Sequence, residues 1–449
     1  MYEKDTIVAL ATPLGKGGIG VVRVSGPLVT DIANGMIGGI PEERIATFTS
    51  FLDAGGSPVD QGLALLFKSP RSFTGEDVLE IQGHGGPVVM NLIVERVVEL
   101  GARLARPGEF SERAFLNDKI DLSQAEAIAD LIDSASNQAA MSAMRSLRGE
   151  FSRKVYHITE SLVQLRTYVE AAIDFPEEEI DFLEDPRVNS GLDALIEKIS
   201  DLKNEATQGA LLREGVSIVL AGRPNAGKSS LMNRFTGTDT SIVTEIAGTT
   251  RDVIDEHVHL DGVPIRLIDT AGLREGGDPI EIEGVRRAVK EIDQADFVLI
   301  VVDLGAHRED LNSHVEQLMY EIPNNAPYLV VLNKSDIWQP TTVDLSCEYV
   351  LTSAVTGVGI DVLKGRLKEG IGYTVGGEGT FIARSRHLDA LQRGLEALSK
   401  GKTAFADSRA GELLAEELRR CQLALGEITG EFTSDDLLGR IFSSFCIGK

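Results

Sequence analysis

Cysteine is scarce in this chain of 449 residues: three thiols, Cys347, Cys421 and Cys446, stand far apart and form no C-x-x-C pair. That excludes a disulfide framework and a cysteine zinc site, and it suits a reducing compartment. Long apolar runs are missing too; no stretch approaches the roughly 18 to 20 residues a membrane span needs. The opening residues Met1-Tyr2-Glu3-Lys4-Asp5 lack the basic segment and apolar core of a secretory signal. A cytoplasmic protein with no membrane partner is therefore expected. Cations are outnumbered, 44 Lys and Arg against 69 Asp and Glu, for a net charge of −25. Such a surface repels nucleic-acid phosphates, so an RNA substrate would need a local basic patch or a partner protein to hold it. His257-x-His259 has no further ligand at metal spacing and reads as ordinary strand residues. What remains, 43% hydrophobic and 25% charged, is the composition of a soluble globular protein. Its length allows about two to four domains.

Four short runs follow one another in a fixed order. They are Gly222-Arg223-Pro224-Asn225-Ala226-Gly227-Lys228-Ser229, Gly248-Thr249-Thr250, Asp269-Thr270-Ala271-Gly272 and Asn333-Lys334-Ser335-Asp336. The first fits G-x-x-x-x-G-K-[ST], a loop whose backbone N–H groups wrap a polyphosphate. The last holds a carboxylate suited to the guanine edge. Together they specify a site for GTP on Mg²⁺, and GTP hydrolysis is the expected activity.

The remaining pattern says where this unit sits. Residues 1–118 read as mixed α and β, with β-branched runs at Thr6–Ala11 and Ile19–Val24. The turn between them contains Gly15, Gly17 and Gly20 at dinucleotide-fingerprint spacing. It leads into a strand and not a helix, so it is read as a hairpin. From residue 119 to 212 the pattern is helical; Phe151, Val155, Ile158, Leu162, Leu165, Val169 and Ala172 form one long stripe, with Pro176 as its stop. Residues 216–372 alternate apolar strands with helical stretches, the signature of a mostly parallel sheet. Helical periodicity returns over 373–449, with stripes Leu388, Leu391, Leu395, Leu398 and Leu414, Leu418, Cys421, Leu425. The fold class expected is multidomain α/β and α: an N-terminal α+β domain, a central helical domain and a Ras-like P-loop domain inserted into it. The two helical flanks would pack together.

Roles within the nucleotide site follow from residue chemistry. Lys228 should sit between the β and γ phosphates as a catalytic cation, and Ser229 should ligate Mg²⁺ with Thr250 as second ligand. Asn225, Ala226, Gly227 and Ser230 complete the phosphate loop. Thr244, Glu245, Ile246, Ala247, Gly248 and Thr249 form the loop that closes over it. Asp269, Thr270, Ala271 and Gly272 face the magnesium and the γ-phosphate. Asn333, Lys334, Ser335 and Asp336 read the base, Asp336 through guanine N1 and N2, and Ser353-Ala354 touches O6. The position after Asp-x-x-Gly holds Leu273 where Ras-like enzymes carry a glutamine, and no arginine finger stands out. Asn225 could instead offer its carbonyl oxygen to a monovalent cation. Glu281 is a candidate to order the attacking water, or else an exposed glutamate at a helix start.

Strings outside the GTPase signature are long and unusual. They include Phe73-Thr74-Gly75-Glu76-Asp77-Val78, Gly83-His84-Gly85-Gly86-Pro87, Arg106-Pro107-Gly108-Glu109-Phe110-Ser111, Glu431-Phe432-Thr433-Ser434-Asp435-Asp436 and the terminal Phe445-Cys446-Ile447-Gly448-Lys449. With them the chain resembles the MnmE (TrmE) family of bacterial tRNA-modification GTPases along essentially its whole length. The resemblance implies that residues 1–118 dimerise and bind 5-formyl- or 5,10-methylene-tetrahydrofolate through Arg23, Glu80, Lys119 and Lys449. It implies potassium-dependent pairing of G domains, with Asn225, Thr244, Ile246 and Thr249 as the K⁺ cage and Glu281 ordering the water. It implies a homodimer working with an MnmG-like FAD protein, as a heterotetramer, on the wobble uridine of certain tRNAs. The complex installs an aminomethyl or carboxymethylaminomethyl group at C5. Cys446 is then either a thiol ending a packed helix or a catalytic group beside the folate. A switch GTPase of ribosome assembly, binding RNA directly, is the alternative; it calls for a basic module beside the G domain, and none is evident.

Overall fold

The computed structural model describes residues 5–174, 186–236, 254–269, 295–308, 310–320, 326–340, 343–373, 380–408, 410–432, 435–446 and 448. They divide into two compact units. One comprises residues 1–129, 146–195 and 393–449, the other 130–145 and 196–392.

In the first unit a six-stranded sheet is built from β1 (Ile7–Leu10), β2 (Gly20–Ser25), β3 (Thr47–Leu52), β4 (Pro58–Phe67), β5 (Val78–Gly83) and β6 (Arg103–Leu104), in the order β3-β4-β5-β2-β1-β6. The glycine turn between β1 and β2 joins an antiparallel pair, Ile7 to Ser25 through Leu10 to Val22, as a hairpin does. Helices Val29–Ile37 and Pro87–Glu99 cover one face, burying Ile32, Met36, Met90, Ile93 and Val97 against Val8, Val22, Val24, Leu79 and Ile81. Alternation along each strand sends those residues to one side, and so Ile7 and Ala9 of β1 pack with Phe110 on the other. Helices Glu150–Asp174 and Gly411–Thr429 pack against each other. Phe151, Val155, Leu162 and Val169 are buried on one helix, and Leu414, Leu418, Cys421 and Leu425 on the other. Burial pushes the Cys421 thiol up to about 12, which leaves it inert. Pro176 and the acidic run around it lie outside the described residues.

The second unit carries the other sheet. Its strands are β7 (Val216–Ala221), β8 (Ile254–Leu260), β9 (Val263–Asp269), β10 (Phe297–Asp303), β11 (Tyr328–Asn333) and β12 (Tyr349–Leu351), in the order β12-β11-β10-β7-β9-β8. All pairs are parallel except the β8–β9 hairpin, turned at Asp261-Gly262. The apolar runs are continuous because both faces are covered. Phe297, Leu299 and Val301 face a core with Leu231, Phe235, Leu363 and Leu367. Val298, Ile300 and Val302 face another with Val315 and Leu318. Among the described residues no helix is long and apolar enough to cross a membrane.

Candidate functional site

A parallel sheet gathers loops at the carboxyl ends of its strands, and the sequence motifs fall there. β7 ends at Ala221, and helix Lys228–Thr236 begins at the last two residues of the glycine motif. Between them Gly222, Asn225 and Gly227 take φ of +147°, +64° and +95°. A Cβ on Gly222 would stand 2.2 Å from the Val301 carbonyl oxygen, and one on Gly227 2.2 Å from Asn333 Nδ2. Both positions therefore need glycine, for backbone conformation and for close approach. Asn225, Ser229 and Ser230 are exposed, as a ligand-facing rim requires.

Lys228 is 5% exposed, and its Nζ donates to the carbonyls of Gly222 at 2.8 Å and Arg223 at 3.3 Å. Burial lowers its pKa, and the Asp269 carboxylate offsets part of that. An ammonium held among carbonyls at the first turn of a helix is poised for an anionic ligand. The Ser229 hydroxyl donates to Asp269 Oδ2 at 2.8 Å. Asp269 Oδ1 is buried and lacks a hydrogen-bond partner among the described residues. A hydroxyl beside a carboxylate with one unsatisfied oxygen fits a hard divalent cation with its hydration water, so these residues suit Mg²⁺.

Asn333 ends β11 and is 1% exposed. Its Nδ2 donates to the Ala226 carbonyl at 2.9 Å, while Oδ1 accepts from the Ala354 N–H at 3.1 Å. One amide thus clamps the phosphate loop to the Ser353-Ala354 loop. Lys334, at φ +67°, pairs with Asp303 through a 2.6 Å contact at the end of β10. Burial alone would raise the Asp303 pKa, but the Lys334 hydrogen bond and charge outweigh it and hold the carboxylate low. Asp336 Oδ1 accepts from the Ser353 hydroxyl at 2.5 Å, and the Ser335 N–H bonds the Thr352 carbonyl at 3.0 Å. Thirteen of the residues assigned to GTP therefore converge on one sheet edge: 225–230, Asp269, 333–336 and 353–354. Thr244, Glu245, Ile246, Ala247, Gly248, Thr249, Thr250, Thr270, Ala271, Gly272 and Glu281 lie outside the described residues.

In the first unit Arg23 and Glu80 are cross-strand partners on β2 and β5, with Arg23 Nη2 to Glu80 Oε1 at 2.9 Å. The guanidinium lies 5.7 Å from the Phe73 ring centre and 5.8 Å from that of Phe110. It also donates to the Gly448 carbonyl at 3.4 Å, so the last residues return to the first sheet. A Cβ on Gly448 would stand 2.4 Å from the Leu10 carbonyl oxygen. Cys446 is exposed, and its carbonyl accepts from the Gly108 N–H at 3.3 Å. Lys119 donates to the Pro70 carbonyl at 2.9 Å. The 70–75 loop thus touches Lys119 at Pro70 and Arg23 at Phe73. Lys449 lies outside the described residues.

On the helix that carries Phe110, Glu109–Leu116, Arg113 centres an ion cluster that patterns in the sequence did not single out. Arg113 is wholly buried and bonds Asp5 at 2.6 Å, Glu76 at 3.0 Å and Glu109 at 3.2 Å. Burial alone would raise the Glu109 pKa, but hydrogen bonds from Arg103 and the Arg106 N–H hold it at about 2. The sequence signal lay in two of the unusual strings, Phe73–Val78 and Arg106–Ser111, which carry Glu76 and Glu109.

Two family models match the chain: "GTP-binding protein TrmE N-terminus" over residues 6–119 and "MnmE helical domain" over 122–446. A tRNA modification GTPase MnmE from Sodalis glossinidius is 54% identical over 454 residues, covering 100% of both chains. One from Histophilus somni is 54% identical over 451 residues, again covering 100% of both. The chain belongs to the MnmE family of tRNA modification GTPases. Solved structures overlap the chain in part. Aquifex aeolicus Era bound to GDP.AlF4- is 27% identical over 40% of this chain and 66% of its own, with a TM-score of 0.28. The G domain of the T. maritima FeoB iron transporter is 25% identical over 34% of this chain and 98% of its own, with a TM-score of 0.26. The MnmE family matches run through both units, so the phosphate loop and the Arg23 patch belong to one family of protein.

Proposed function

We propose that this chain is a potassium-activated GTPase that drives modification of the wobble uridine of certain tRNAs. The observation that carries it is the Asn333 clamp, which sets a phosphate loop and a base-reading loop at fixed separation. Lys228 neutralises the β and γ phosphates. Ser229, with Asp269 behind it and Thr250 from the next loop, holds Mg²⁺, which supplies charge neutralisation when bound. Asp336, oriented by Ser353, accepts from guanine N1 and N2. Asn225, Thr244, Ile246 and Thr249 hold K⁺, and Glu281 orders the attacking water, in place of an arginine finger and a glutamine.

In the N-terminal domain, residues 1–118 in this reading, Arg23, Glu80, Lys119 and Lys449 hold a 5-formyl- or 5,10-methylene-tetrahydrofolate. A guanidinium and a carboxylate beside two aromatic rings offer the donors, acceptors and flat faces that a pterin needs. The folate supplies a one-carbon unit when bound; Cys446 lies on the same returning tail. Residues 119–212 and 373–449 form the helical domain into which the G domain, 216–372, is inserted. The chain works as a homodimer with an MnmG-like FAD protein, and the partner carries the flavin and much of the tRNA grip. A charge of −25 is consistent with that division of labour. Mass spectrometry of tRNA nucleosides from cells lacking this chain tests the proposal. Loss of the C5 aminomethyl or carboxymethylaminomethyl group from wobble uridine is expected, and an unchanged wobble nucleoside overturns it.

A further inference from the structure

The β8–β9 hairpin is a rod with a distinct partner at each end. Its strands are seven residues long and fully paired, from Ile254 with Asp269 to Leu260 with Val263. At about 3.4 Å per residue the rod spans roughly 20 Å. One end is Asp269, bonded to Ser229 in the phosphate loop; Ile254 beside it follows Thr250 by four residues in the sequence.

The other end is the turn Asp261-Gly262, with φ of +50° and +91°, and three side chains in or beside helices Asn137–Leu147 and Ile360–Gly370 hold it. The Ser136 hydroxyl donates to the Gly262 carbonyl at 2.8 Å. Lys368 Nζ meets Asp261 Oδ2 at 2.6 Å, and the Tyr373 hydroxyl donates to the Asp261 carbonyl at 3.2 Å. The fit is close, since a Cβ on Gly262 would stand 2.7 Å from Gln138 Cβ. Ser136 has a second task. Its Oγ accepts from the Ala139 N–H at 3.1 Å, capping the helix Asn137–Leu147. Six residues before Ser136, Asp130 is paired with two arginines of distant segments. Asp130 bonds Arg213 at 2.7 Å, just ahead of β7, and Arg384 at 2.8 Å, beyond the last strand.

We propose that the β8–β9 hairpin is a lever, and that the Ser136–Gly262 hydrogen bond is where movement at the nucleotide site enters the helix Asn137–Leu147. Ladder bonds resist sliding, and β9 is laddered to β7 as well as to β8, from Ile265 to Asp269, so the hairpin carries displacement together with that side of the sheet. A shift of Asp269 and Ile254 when nucleotide and metal change therefore reappears at Asp261-Gly262. There it meets the hydroxyl that caps a helix, so the movement is read as a change in the stability of that helix's first turn. Ser136 is a positioning residue in this scheme and touches no substrate. The inference rests on the GTP reading of the phosphate loop given above.

Hydrogen exchange on the full-length protein, with GDP and with a non-hydrolysable GTP analogue, tests it. Amides in the first turn of Asn137–Leu147 are expected to differ in protection by about tenfold between the two nucleotides, the scale of ordinary coupling between sites. Ser136→Asp keeps a capping acceptor but cannot donate to Gly262, so the difference should shrink below about threefold while nucleotide affinity is unchanged. Lys368→Met, which frees the other side of the turn without touching the cap, should shrink it too. A full tenfold difference in both variants, or none in the unmodified protein, overturns the lever. Failure of the unmodified protein to bind either nucleotide overturns the GTP reading instead.

Discussion

Replacing Asn333 by alanine removes one side chain and breaks two loops apart. The amide is 1% exposed and spans from the Ala226 carbonyl at 2.9 Å to the Ala354 N–H at 3.1 Å. Alanine leaves both main-chain groups without that partner. An unpaired buried group costs about 1–3 kcal/mol, so the pair amounts to about 3 kcal/mol. The phosphate and base loops can recover part of this by separating, and GDP then has to pull them back together. The loss should appear as a roughly hundredfold weaker GDP dissociation constant, since about 1.4 kcal/mol is tenfold. Asn333→Asp is the discriminating control. It keeps an acceptor for Ala354 but turns a carboxylate oxygen toward the Ala226 carbonyl, so it should weaken binding at least as much as alanine. Titration with a fluorescent GDP derivative, alongside a urea melt to separate loosened loops from unfolding, measures both. Alanine binding within threefold of the unmodified protein would refute the clamp.

Asp336→Asn should shift preference from guanine toward xanthine nucleotides, since a carboxylate that pairs with two donors is replaced by an amide that cannot; unchanged GTP selectivity in competition binding counts against base reading. Replacing potassium by sodium should slow GTP turnover at least tenfold, and Glu281→Ala should retain GTP binding while hydrolysis falls by a similar factor. Equal rates in the two salts, or full activity of the variant, would remove the cation cage or the water-ordering role. Glu109 links the N-terminal unit to acid stability. Its pKa is about 2 in the fold against 4.5 for the free side chain, so its contribution is complete above about pH 4.5 and is lost as pH falls through about 2. The gap is about 3 kcal/mol, of which about 2 kcal/mol should disappear between pH 5 and pH 3 in urea melts. Glu109→Gln should flatten that part of the profile; an identical profile would disprove the assignment.

The sequence by itself determined the phosphate-loop and Asn333–Asp336 motifs that the sheet gathers at its carboxyl ends, because each is a short run of adjacent residues. A phosphate loop is a local object: Gly222 to Ser229 need only a strand before and a helix after. The apolar periods of two and of 3.6 residues likewise marked both the parallel sheet and the stripes of Glu150–Asp174 and Gly411–Thr429. Tertiary structure decided what touches across long separations. Nothing in a linear pattern says that Gly448 returns to Arg23, or that Arg113 gathers Asp5, Glu76 and Glu109. Nor does it place Ser136 on Gly262, which lies 126 residues further along the chain. Hydrogen bonds and ion pairs carry no periodicity, and a serine or arginine looks the same in sequence whether it meets water or a distant carbonyl. Only the packed chain settles which partner each one has.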